Sequence, residues 1–123
     1  MRETRCARAQ VSWPADFTQR TIADSLRVDQ VGALPLRHML EYVDDIVTVT
    51  EGEIRSAVRR LAMDARLIAE PGGAVAVAAC LFRRKELPPA GITVAVLSGG
   101  NIDPRLLLDI LGDEPSAGPG SGE

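Results

Sequence analysis

The sequence predicts an α/β fold carrying part of a parallel sheet, and three observations lead there. Two runs, residues 46–50 and 92–97, have the β-branched, strand-length composition of buried strands. Stretches whose apolar residues recur at helical spacing alternate with them. The second run passes directly into Ser98-Gly99-Gly100-Asn101 and then into a further helical stretch, the strand, loop and helix order of an α/β unit. Only two strands are legible, and a two-stranded parallel sheet leaves both edges bare. The chain is therefore expected to form part of a larger sheet or of an oligomer.

Taken in order, residues 1–20 show neither helical nor strand periodicity, and Trp13-Pro14 marks them as a poorly ordered lead-in. Behind Pro35, the positions of Leu36, Met39, Leu40 and Val43 predict a short helix over 34–42. The turn-forming pair Asp44-Asp45 introduces the first strand. Thr50, followed three residues later by Glu53, is a capping box that starts a helix. Ile54, Val58, Leu61, Ala65 and Ile68 then recur at steps of four and three, the pattern of an amphipathic surface helix. Pro71 and Gly72-Gly73 interrupt that pattern. Residues 74–82 are apolar on all sides and rich in alanine, which predicts a buried helix. Arg83-Arg84-Lys85 lies at the negative end of its dipole, and Pro88-Pro89 follows. After the second strand, Asp103 can cap, Pro104 suits the first helical position, and Leu106, Leu107, Ile110 and Leu111 supply an apolar face. Residues 21–112 are expected to form one partial domain, and 113–123, almost all breakers and polar residues, a disordered tail.

Composition narrows the function classes. The chain has 123 residues, 46% of them hydrophobic, and a formal net charge of −3. That is one small domain without the basic footprint of a non-specific nucleic-acid binder. No apolar run is long enough to span a bilayer, and no apolar segment follows the N-terminal arginines to make a secretory signal. Cys6 and Cys80 have neither the spacing of a metal knuckle nor that of a disulfide framework, so a reducing cytoplasm is the expected compartment. Of the 14 cationic residues, Lys85 is the single lysine. Any amine chemistry within these residues must use it.

Several positions are candidates for chemistry. Ser98-Gly99-Gly100-Asn101 sits where open α/β sheets place ligands, beyond the carboxyl end of a strand, with glycines that permit close approach and a hydroxyl and an amide to bond with. A tight turn without a ligand explains the same residues. Glu70, before Pro71-Gly72-Gly73, stands either at a second ligand-facing helix entrance or simply as a helix cap. Thr21-Ile22-Ala23-Asp24-Ser25 holds a possible Asp24 cap. His38, the single histidine, reads as a solvent-facing residue with no nucleophile elbow to serve. Asp44-Asp45 reads as a solvated turn, and Cys80 as an inert thiol in an apolar helix.

Read together, Thr21-Ile22-Ala23-Asp24, residues 43–51, Ala69-Glu70-Pro71-Gly72-Gly73-Ala74 and Val96-Leu97-Ser98-Gly99-Gly100-Asn101-Ile102-Asp103 resemble the C-terminal part of the catalytic domain of threonine dehydratase and serine racemase. These are pyridoxal-phosphate enzymes of fold type II. The resemblance covers residues 21–111 and implies part of their large, three-layer, Rossmann-like domain. It implies that the Ser98 hydroxyl bonds the pyridine nitrogen of pyridoxal phosphate, that Gly99 and Gly100 lie beside the ring, and that Glu70 lines the active site. A neutral hydroxyl does not hold the ring nitrogen protonated, which suits β-elimination from serine or threonine. Where this chain has Ser25 the family usually has glycine, so the local backbone is expected to be crowded there.

The family's lysine, substrate loop, phosphate loop and cation ligands have no counterpart in these residues. Lys85 stands in the wrong context to replace the lysine, so no metal ligand and no catalytic lysine is assigned. The expectation is a fragment of a threonine or serine ammonia-lyase, inactive alone, working in a homo-oligomer or with a missing N-terminal half. The alternative is a non-catalytic dimerisation or complementation module. An independent nucleotide-binding protein is disfavoured by the lack of a Walker or dinucleotide motif.

Overall fold

The structure is a computed structural model that describes residues 21–28 and 31–113. The expected lead-in (1–20) and all of the expected tail except Asp113 lie outside the described residues. A 3-10 turn, Asp24–Leu26, precedes four helices: α1 (Ala33–Tyr42), α2 (Glu51–Met63), α3 (Pro71–Phe82) and α4 (Pro104–Gly112).

Local sequence accounts for where the helices begin. At α2 the predicted capping box is present: the Glu53 N–H donates to Thr50 Oγ1 at 3.3 Å, and the Thr50 N–H donates to Glu53 Oε2 at 2.7 Å. At α4 the Asp103 carboxylate accepts from the Arg105 and Leu106 N–H groups at 2.7 and 3.2 Å, with Pro104 in the first turn.

Two helix boundaries differ from the sequence reading. Helix α2 stops at Met63, so Ala65 and Ile68 fall beyond it and are exposed. The chain reverses there, with Arg66 in the left-handed region (φ 60°) and the Leu67 N–H donating back to Leu61 O at 2.9 Å. Pro71, Gly72 and Gly73, expected to interrupt, form the first turn of α3. Proline is suited to that place because its missing N–H would have had no helical partner.

Packing is centred on α2, which lies against both α3 and α4. The core consists of Ala57, Val58, Ala69, Ala74, Ala78 and Ile110, ringed by half-buried Val49, Leu61, Phe82, Leu97, Leu106 and Leu107. Alanines on the contact faces bring the helix backbones close, and Ile110 and Val58 are the largest side chains fully enclosed. Helix α3, expected to be buried on all sides, is buried on one: Val75, Ala76, Val77 and Ala79 are only half-covered and Leu81 is exposed. Helix α1 touches none of the other helices.

Ion pairs tie the helix ends. Arg55 of α2 bonds Asp109 and Asp113 at 2.7 Å each, and Arg83, just after α3, reaches Glu53 at 3.0 Å.

No strand forms among the described residues, which corrects the expected parallel sheet. Residues 47–49 and 92–97 make no backbone hydrogen bond to other described residues. Nor is the second run buried, since Ile92 and Val94 are 86% and 81% exposed. A strand is defined by its neighbour: β-branched composition supplies the propensity, but without a second segment at ladder distance the backbone groups stay unpaired.

Candidate functional site

The loop from Ser98 to Asn101 is laid on the N-terminal end of α3, held there by three hydrogen bonds and two close packings. The Ser98 N–H donates to Gly73 O at 3.4 Å, and the Ser98 carbonyl occupies the space that a Cβ on Gly73 would need. Gly99 takes a left-handed φ of 76°, which strongly favours glycine, and its carbonyl accepts from the Glu70 N–H at 3.3 Å. A Cβ on Gly99 would lie 2.6 Å from the Glu70 carboxyl carbon. The Asn101 N–H donates to Glu70 Oε2 at 3.2 Å.

Glu70 therefore stands at the N-cap position of α3 without capping it. Its side chain makes no bond to the helix N–H groups and turns instead to the loop. The cap reading is corrected: the carboxylate has a better partner in Asn101, brought near by the tertiary fold. Gly99 and Gly100 are likewise explained by close packing, Gly99 against Glu70 and Gly100 against the Ile68 carbonyl.

Residues 22–26 dock on the same end of α3. The Ile22 N–H donates to Glu51 Oε2 at 2.9 Å, Ala23 is buried, and the Ser25 hydroxyl fills the space beside Gly72. Ala23, not Asp24, holds the cap position of the short turn, and Asp24 Oδ1 accepts from the Ser25 N–H at 2.8 Å. The crowding expected at Ser25 is relieved because residue 72 has no side chain.

Alongside lies a groove of about 560 Å³, a size typical of small-molecule sites. Its floor is the face of α3 carrying Gly72, Gly73, Ala76 and Ala79, its walls include Val47 and Val96, and Ser98 lines it. The Ser98 side chain has no hydrogen-bond partner among the described residues. Asp44 and Asp45, which read from sequence as a solvated turn, also line this groove, as does Leu26. Sequence spacing carried no signal for either placement, since both depend on contacts between distant segments.

Other candidates lie elsewhere. Lys85 is exposed, in the turn past the far end of α3, and does not line the groove. The twelve residues of α3 put about 18 Å between its two ends, so Lys85 is far from the Ser98 loop, although Leu87 and Pro88 just beyond it line the near end of the groove. His38 is exposed on α1, its Nδ1 2.9 Å from Leu34 O and its ring beside Tyr42, as a solvent-facing histidine should be. Cys80 is a free thiol, half-buried on α3. Among the described residues no cluster of three or more His, Cys, Asp or Glu could hold a metal ion, and no helix is long and apolar enough to cross a membrane.

Electrostatic coupling supports the scaffold of the site. Burial pushes the Glu53 carboxyl up, but the Thr50 N–H and the Arg83 guanidinium outweigh it and hold the group below its ordinary value. Hydrogen bonding from Arg55 holds Asp113 low against a smaller effect of burial, and Arg55 is raised in return.

With this geometry in view, the sequence relationships are informative. A profile of the family described as "Pyridoxal-phosphate dependent enzyme" matches residues 2–99, most of the chain. The chain belongs to this pyridoxal-phosphate dependent enzyme family. It is 42% identical over 92 residues to L-threonine ammonia-lyase of Thermotoga maritima, covering 74% of this chain and 22% of that protein. It is 38% identical over 96 residues to the catabolic L-threonine dehydratase TdcB of Escherichia coli, covering 77% and 29%. It is 33% identical over 86 residues to L-threo-3-hydroxyaspartate ammonia-lyase of Saccharomyces cerevisiae, covering 70% and 26%. The chain thus spans less than a third of the length of each of these relatives.

Membership implies pyridoxal phosphate in the complete enzyme. The residues present fit one part of that cofactor: an unbonded hydroxyl, Ser98, on the wall of a groove and fixed in place by the packing of its own carbonyl on Gly73. They offer no amine at the groove to tether it.

Proposed function

We propose that this chain supplies the ring-nitrogen side of the active site of a pyridoxal-phosphate-dependent ammonia-lyase that deaminates L-threonine or L-serine by β-elimination. The observation that carries this reading is the unbonded Ser98 hydroxyl on the groove wall, on a loop clamped by Glu70. The relatives named above act, by name, on threonine or threo-3-hydroxyaspartate, both 3-hydroxy amino acids. Elimination of a β-hydroxyl is their common chemistry.

In this reading Ser98 would hold the pyridine nitrogen. Pyridoxal phosphate supplies the electron sink for removal of the α-proton and departure of the hydroxyl. A serine hydroxyl, unlike a carboxylate, does not favour a protonated ring nitrogen, so it limits the sink to what elimination needs. Glu70 is a positioning residue: it accepts from the Asn101 N–H and backs Gly99, which keeps Ser98 at one place on the groove wall. Gly99 and Gly100 give the loop its close seat beside the ring.

Lys85 does not tether the cofactor, so the amine comes from outside these residues. These residues alone are therefore inactive, and they work together with the remaining part of the active site or within a homo-oligomer, in the reducing cytoplasm where Cys80 stays a thiol. A non-catalytic complementation module is the alternative reading, favoured by the same placement of Lys85.

The test is to incubate the purified chain with pyridoxal phosphate, reduce with borohydride, digest, and map the adducts while assaying ammonia release from threonine. Non-covalent binding that is weakened by Ser98→Ala, with no selective adduct on Lys85, supports the reading. A stoichiometric adduct on Lys85 accompanied by ammonia release overturns it.

A further inference from the structure

We propose that Glu51 is a positioning residue of the groove: by accepting the Ile22 N–H, its carboxylate seats residues 22–26 against the first turn of α3 and thereby sets where Leu26 stands in the groove wall. The placement of Leu26 depends on these residues alone, while its bearing on pyridoxal phosphate rests on the reading above.

Glu51 is the first residue of α2, where Thr50 and Glu53 complete the capping box without it. A carboxylate in that turn is favoured by the helix dipole, and this one serves a different backbone. It reaches 29 residues back along the chain, to the Ile22 N–H at 2.9 Å. Among the described residues no other hydrogen bond joins residues 21–28 to the helices, and the remaining bonds of that segment are internal to it. Ala23, 2% exposed, is the one buried residue of the segment. An alanine buries little apolar surface, so a hydrogen bond to a charged acceptor is the firmer anchor.

The segment is thus pinned at two points: Ile22 to the start of α2, and Ser25 to the start of α3, where its hydroxyl occupies the space beside Gly72. Leu26 follows at once. Its Cγ lies 3.7 Å from where a Cβ on Gly72 would stand, and both residues line the groove. The next residue of α3, Gly73, seats the Ser98 carbonyl. Two walls of the groove are therefore set on consecutive glycines of one helical turn, and each is held by a glutamate that accepts a backbone N–H: Glu70 from Asn101 at 3.2 Å, Glu51 from Ile22 at 2.9 Å. Leu26 is itself 51% exposed and only loosely held by packing, so the bond four residues upstream governs its place in the wall.

The test places Glu51→Ala and Glu51→Gln in the full chain. Amide exchange and the nuclear Overhauser effect between the Leu26 methyls and the Gly72 α-protons are followed, neither of which needs a cofactor. In Glu51→Ala, exchange at Ile22 should quicken by roughly tenfold or more and the Leu26–Gly72 effect should fade, while exchange at Val58 and Asn101 stays as it was. Glu51→Gln keeps an acceptor oxygen and should restore most of both. Unchanged exchange at Ile22, or an undiminished Leu26–Gly72 effect, overturns the proposal; so does exchange at Val58 that quickens equally, which would make the loss global. Non-covalent binding of pyridoxal phosphate, measured by equilibrium dialysis, should weaken roughly threefold or more in Glu51→Ala. In a Leu26→Ala background the same substitution should weaken it little further. Full additivity, or undiminished binding despite a lost Leu26–Gly72 effect, overturns the positioning role. A native chain that binds no pyridoxal phosphate defeats the ammonia-lyase reading, and the exchange and proton-contact results still decide whether Glu51 sets the wall.

Discussion

Ser25 stands where a side chain on Gly72 would have to go: a Cβ built on Gly72 runs into the Ser25 hydroxyl. Forty-seven residues apart in sequence, the two positions share one volume. Gly72→Ala should therefore cost about 1–3 kcal/mol, the usual range for overpacking. Ser25→Gly in the same chain should recover most of it. Urea unfolding of both single variants and the double variant checks this, and additive effects would show that the two sites are not coupled.

The neighbouring Gly73 should behave differently. Its missing side chain makes room for the Ser98 backbone carbonyl, which no side-chain substitution removes. Gly73→Ala should destabilise by about 1–3 kcal/mol or more, and Ser98→Gly should not rescue it. Amide exchange at Ser98 and Asn101 should quicken in Gly73→Ala even at temperatures where the helices remain folded.

Glu70 holds the loop through one charge-assisted bond to Asn101. Glu70→Ala should cost on the order of 1 kcal/mol and release the Asn101 amide to exchange. Glu70→Gln keeps an acceptor oxygen and should cost less. If the Gln variant loosens the loop as much as Ala, the bond is not what seats it.

Acid should weaken the α2–α3 contact through Glu53. Its folded-state value lies below the ordinary 4.5, so its contribution is complete above that pH and disappears as pH falls through the lower folded value. Asp113, also held low, acts in the same direction. The urea midpoint of the native chain should fall between pH 6 and pH 3 more steeply than that of Glu53→Gln, which keeps an acceptor for the Thr50 N–H. Parallel curves would remove Glu53 from the acid response.

Among the described residues, Ile110 is one of two fully enclosed side chains larger than alanine in the core. Ile110→Ala should cost about 2–5 kcal/mol, a large fraction of the stability of a small domain. Loss of a cooperative thermal transition is the expected readout; a change under 1 kcal/mol by chemical unfolding would mean that α4 does not close the core.

What the sequence determined by itself is whatever depends on residues three or four apart. The capping box at Thr50 and Glu53, the Asp103 cap with Pro104, the apolar face of α4 and that of α2 as far as Leu61 are local hydrogen bonds and periodicities, and they stand in the structure as read. Family membership was legible too, because four short motifs occur in order. Tertiary structure alone decided the rest. It turned Glu70 from a cap into a clamp, matched Gly72 to Ser25 and Gly73 to Ser98, and brought Asp44 and Asp45 to the groove, since these are collisions and contacts between segments far apart in sequence. It also left residues 92–97 without a sheet. Strand propensity resides in a segment, but a strand's hydrogen bonds belong to a pair, and no described segment supplies the second member.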